Sequence, residues 1–121
     1  MADRQIAATQ YSVERAVQAF PFGGKTAAWN LANNALQSVA GVISPSCSLF
    51  MLYVPAGKTV HVGLASQQAG KTVADARAAM FPLKEGYWTV TLLDAHQADL
   101  RFVAEASGAV ALSILEAAEV A

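Results

Sequence analysis

The sequence has little charge, almost no cysteine and no long apolar run. Only 14% of its 121 residues are charged, against a typical ~25%. The 8 basic and 9 acidic residues leave a net charge of −1, with no basic run able to neutralise a series of phosphates. General nucleic-acid binding is therefore not expected. The single cysteine, Cys47, excludes an intrachain disulfide and a multi-cysteine zinc site. The longest apolar run, Leu49 to Val54, is six residues, far short of the ~20 a membrane-spanning helix needs, so no membrane partner is expected. The start, Met1-Ala2-Asp3-Arg4-Gln5, leads into no apolar stretch of the kind a signal peptide carries, which reads as a protein made in the cytoplasm.

What is present is an excess of small apolar side chains. Residues of hydrophobic type make up 55% of the chain, and 26 of them are alanine. A free monomer with so few charges has little polar surface with which to cover itself. An alanine-rich host genome would account for this, but burial of surface against other subunits is the preferred reading. The length fits one domain, 1–121, with residues 1–22 as an N-terminal arm.

Local patterning predicts a mainly β protein. Leu49-Phe50-Met51-Leu52-Tyr53-Val54 and Thr59-Val60-His61-Val62-Gly63-Leu64 flank Pro55-Ala56-Gly57-Lys58, which reads as a hairpin turn. Tyr87 to Leu93 is rich in strand formers and starts just after Gly86. Leu100 to Ala104 and Ala109 to Leu115 form a second pair joined by Glu105-Ala106-Ser107-Gly108. Five strands at such spacing predict an antiparallel β-sandwich or a barrel-like domain. One short helix is expected at about residues 72–80: Thr72 with Asp75 three residues on resembles a capping box, and Pro82 stops the run.

The first 46 residues admit two patterns. Val13, Ala16, Val17 and Phe20 match one face of a helix, whereas Tyr11, Val13, Arg15 and Val17 alternate as a strand would. Trp29 and Leu31 alternate ahead of Asn33-Asn34, a poor helix centre and a fair turn, so strands are favoured there. Thr9 to Ala19 also suits an arm laid on a neighbouring subunit.

No motif carries catalysis. Gly-Lys-Thr occurs at Gly24, Gly57 and Gly70, but a phosphate loop needs another glycine five positions earlier, where Ala19, Leu52 and Ala65 stand. The expected role of each is a turn glycine, a solvated lysine and a β-branched residue opening the next element. Asp94 and His96 fit a polar turn better than a metal site, which needs three or four ligands. His61, opposite the apolar face of its strand, is expected to be exposed or interfacial. Cys47 has no neighbouring base and reads as a small buried apolar residue. Tyr87, Trp88 and Phe102 fall on predicted strands, where packing is the expected use of an aromatic ring.

Ala98 to Ala104 followed by Ser107 to Glu116 resembles the closing hairpin of small structural proteins of tailed bacteriophages, and Val54 to Val62 is similar to their first hairpin. That family includes head decoration (cement) proteins and head-fibre base domains. The resemblance covers about residues 49–116 and transfers no functional residue. It implies a non-enzymatic virion protein, without cofactor, that sits on the capsid surface and braces the lattice of the major capsid protein, often as a trimer. The interface residues expected are Val13, Val17, Phe20, Trp29, Tyr87 and Trp88. The alternatives are a carbohydrate- or small-ligand-binding β-domain stacking on Trp88, Tyr87 or Trp29, and a small metal-dependent barrel using His61 and His96.

Overall fold

The computed structural model describes residues 23–92 and 97–117 and the backbone of residues 6–11. Within them the chain forms one antiparallel sheet, curled into a half-barrel. This is the barrel-like form of the expected β architecture. Its strands are β1 (Ile6–Tyr11), β2 (Thr26–Leu31), β3 (Gln37–Ser38), β4 (Leu49–Leu64), β5 (Phe81–Leu92), β6 (Leu100–Ala104) and β7 (Val110–Glu116). Among the described residues, no helix is long and apolar enough to cross a membrane.

Strand β4 is the spine. One edge pairs with β5 along both halves, and the other pairs with β7 over Phe50–Tyr53 and with β6 over Val60–Leu64. β1 then adds to β5, β2 to β7 and β3 to β6.

Two expected hairpins are corrected by this register. Leu49–Val54 and Thr59–Leu64 are halves of one strand and do not pair with each other. Between the pairs Val54–Gly86 and Thr59–Lys84, Pro55 to Lys58 bulge out opposite Glu85 alone. Gly57 (φ 75°) supplies the left-handed conformation that the bulge requires. The bulge amides find side-chain acceptors: Gly57 N–H donates to Glu85 Oε1 (3.1 Å) and Thr59 N–H to Glu105 Oε1 (3.4 Å). Each half thus keeps a long partner in β5, which a tight hairpin would deny it. Likewise β6 and β7 do not pair with each other. They lie end to end along the same edge of β4, and Glu105 to Ala109 bridges them where β4 bends.

β5 begins at Phe81, six residues before its expected start, and carries Pro82 within it. That stretch pairs with β4 on one side, and β1 joins only from Tyr87 onward, so the missing N–H costs no ladder bond on the edge side.

The expected helix is present as α2 (Val73–Ala79), following a single turn α1 (Ala65–Gln68) that the sequence pattern did not suggest. Thr72 Oγ1 caps α2 by accepting from the Asp75 N–H at 3.2 Å. Arg77 fastens the helix to the sheet, its Nε donating to the Ala104 carbonyl (3.0 Å) and its Nη2 to the Asn33 carbonyl.

The core fills the inner face. Phe50, Leu52, Val54, Val60 and Val62 of β4 point inward with Leu83, Val90 and Leu92 of β5. Leu100 and Phe102 of β6, Val110, Leu112 and Ile114 of β7, and Leu31 of β2 complete it, with Val39 and Ile43 from the intervening loop. Burying side chains of this size stabilises by roughly 1.5–3 kcal/mol each.

Candidate binding surface on the outer face

Inward alternation of one set of residues leaves the other set outside, and here part of that outer set is also apolar. Strand register aligns it in rows across the sheet. One row runs Tyr87, Tyr53, Ser113, with Tyr11 of β1 opposite Tyr87 in backbone register. The next runs Thr89, Met51, Leu115, Thr26. The Tyr53 and Tyr87 rings lie 4.8 Å apart, tilted by 45°. Met51 forms the floor, only 4% exposed, packed by Leu49, Tyr87, Leu115 and Ala117. These strands enclose an open groove of about 340 Å³ lined by Thr26, Met51, Tyr53, Tyr87, Ser113, Ile114 and Leu115. No charged side chain lines it. Chemically it offers flat apolar contact, two phenol groups and two aliphatic hydroxyls.

The expected interface residues divide. Tyr87 lies on this groove. Trp29 does not: it is 9% exposed, its ring set edge-on to Phe102 at 5.4 Å in the core. Alternation beside Leu31 puts it inward, so the expectation of an interfacial Trp29 is corrected. Trp88, one residue from Tyr87, faces the core side, half-buried, with Nε1–H donating to the Lys84 carbonyl at 2.8 Å. Val13, Val17 and Phe20 lie outside the described residues, as do Asp94 and His96. Met51, Tyr53 and Leu115 were missed. Their signal was the unbroken apolar run from Leu49 to Val54, which reads as a strand covered on both faces.

A second cleft of about 410 Å³ lies at the end of β7, between Gly23–Lys25, Ser44, Glu116 and Ala117. Its carboxylate is committed: Glu116, 7% exposed, accepts from the Ser44 N–H at 3.1 Å. The same loop is stitched from the other side by Gln97, whose Nε2 donates to the carbonyls of Ser44 (2.6 Å) and Cys47 (2.9 Å). Half-buried Cys47 donates its thiol to the Leu49 carbonyl at 3.2 Å. Burial pushes that thiol's pKa up and the nearby Glu116 charge pushes it further, which keeps the sulfur protonated and poorly nucleophilic.

Two of the three Gly-Lys-Thr sites lead into a new element, as expected, and the third, at Gly57, lies in the bulge within β4. Thr26 opens β2, Thr59 resumes β4 after the bulge, and Thr72 caps α2. His61, expected to be exposed or interfacial, is half-buried, and its Nδ1 is buried without a hydrogen-bond partner. Among the described residues, no three of His, Cys, Asp and Glu come close enough to hold a metal ion.

No family model, curated protein or solved structure matches the chain.

Proposed function

We propose that the chain is a non-enzymatic virion structural protein of the capsid-decoration type, which self-associates and seats on the major capsid lattice through the outer face of its sheet. The observation that carries this reading is the uncharged groove around Met51, Tyr53 and Tyr87, set in a chain already poor in charge. A partner can cover such a groove without burying an unpaired charge. A lattice then multiplies modest contacts into tight retention by repetition. The virion setting rests on the resemblance of residues 49–116 to phage structural proteins. The test is the native mass by light scattering behind a sizing column, followed by co-sedimentation with capsids of the phage that encodes the chain. A trimer that pellets with capsids and is released by Tyr87→Lys is the expected result. A monomer that stays in the supernatant overturns the proposal.

The tilted tyrosine pair with Thr26 and Ser113 beside it also suits a neutral sugar ring, which stacks on aromatic faces and hydrogen-bonds to hydroxyls. A glycan panel read against Tyr87→Ala separates this reading: binding lost in the variant supports it, and no binding by either protein removes it.

A further inference from the structure

His61 lies on the second half of β4, between Pro82 of β5 and Val103 of β6 in register, on the face turned away from the core. Helices α1 and α2 fold back over this part of the sheet. Gln68, Ala76 and Met80 are buried there, and Ala76 and Met80 pack with Val103. The fit at Gly63 is close: a Cβ would come within 3.1 Å of both Gln68 Nε2 and Met80 Cγ. Two polar atoms in this region, His61 Nδ1 and Gln68 Oε1, are buried with no hydrogen-bond partner. Each is a cost that the cap bears while closed.

We propose that His61 is an acid-operated release for the helical cap, residues 65–80. As a neutral ring, His61 forgoes one hydrogen bond, at Nδ1. Protonation adds a charge to a half-buried ring whose Nδ1 has no partner, a larger cost. The charged groups acting on the ring come from three elements: Arg77 of α2 and Lys84 of β5 oppose protonation, and Glu105 after β6 favours it. Arg77 belongs to the cap itself: while the cap is closed its bonds to the Ala104 and Asn33 carbonyls hold its charge in place, and they break when the cap lifts. No acidic or basic residue lies on α1 itself. Burial, then Arg77 and Lys84, hold the His61 pKa below its ordinary value of 6.5. The closed cap is therefore fully favoured above that value and loses support as pH falls from it toward the lowered pKa. Lifting the cap hydrates the ring and uncovers Val103, Met80 and Gly63.

The test is amide hydrogen exchange on the full chain between about pH 7.5 and about pH 5, corrected for the intrinsic pH dependence of exchange. The comparison protein is His61→Gln, with His61→Phe as a second variant should the first fold poorly. His96, the chain's other histidine, stays in all of them. The expected result is a loss of protection over 65–80 relative to 110–116 as the pH falls in the native chain, and none in the variants. Protection that is insensitive to pH, or that falls equally in native and variant proteins, overturns the proposal.

Discussion

Tyr53 and Tyr87 face each other across the β4–β5 ladder on the side of the sheet away from the core, their ring centroids 4.8 Å apart. Aromatic pairs of this kind contribute about 0.5–1.5 kcal/mol beyond the area they bury. A double-mutant cycle of Tyr53→Ala and Tyr87→Ala, followed by chemical denaturation, is expected to return a coupling in that range. Tyr87→Lys is expected to leave the fold and native mass intact and abolish co-sedimentation with capsids. Undiminished pelleting of that variant would show that lattice binding uses another surface.

Trp29 is expected to behave as a core residue and not as an interface residue. Trp29→Ala removes a ring packed edge-on against Phe102, and should cost about 3–5 kcal/mol of unfolding free energy. Thermal unfolding of Trp29→Phe beside it distinguishes lost volume from lost shape, with the smaller change expected for phenylalanine.

Gly24 sits where β2 departs from the end of β7. A Cβ there would lie 2.1 Å from the Glu116 carbonyl oxygen, so alanine cannot enter without moving backbone. Gly24→Ala is expected to destabilise by about 1–3 kcal/mol, as overpacking does. Gly108, with open space around it, serves as the control: Gly108→Ala should change the melting temperature little.

Thr72→Ala should lower stability by about 1 kcal/mol through loss of the cap on the Asp75 amide. Thr72→Ser or Thr72→Asp should restore most of it. Hydrogen exchange locates the effect: protection is expected to fall first in residues 73–79.

Strand content was legible because it is written locally. The β-branched and aromatic runs at 49–54, 59–64, 87–93, 100–104 and 109–115 lie in strands apart from Ala109, which precedes β7, and Leu93, which is outside the described residues, and the Thr72–Asp75 spacing marked α2 correctly. Pairing was not legible. Pro55-Ala56-Gly57-Lys58 has the chemistry of a hairpin turn and of a wide bulge alike, since both want a glycine at positive φ. What decides between them is β5, more than twenty residues downstream, which is long enough to hold both halves of β4. The groove was half legible for a related reason. Adjacent strand residues point to opposite faces, so composition picks out Tyr87 and Trp88 together, and only the register assigns Tyr87 to the groove and Trp88 to the core side. Trp29 was misjudged by the same ambiguity.

Strand β4 also sets the order in which this protein can be made. Each strand that pairs with it, β5, β6 and β7, is translated later, and β7 ends only at Glu116. On a ribosome moving at about 5–20 residues per second, the 52 residues from Leu64 to Glu116 take roughly 3–10 s. Until β5 has emerged Leu49–Val54 has neither edge partner, and until β7 is complete it has only one, which leaves an apolar, uncharged β-forming stretch of the kind that seeds intermolecular pairing.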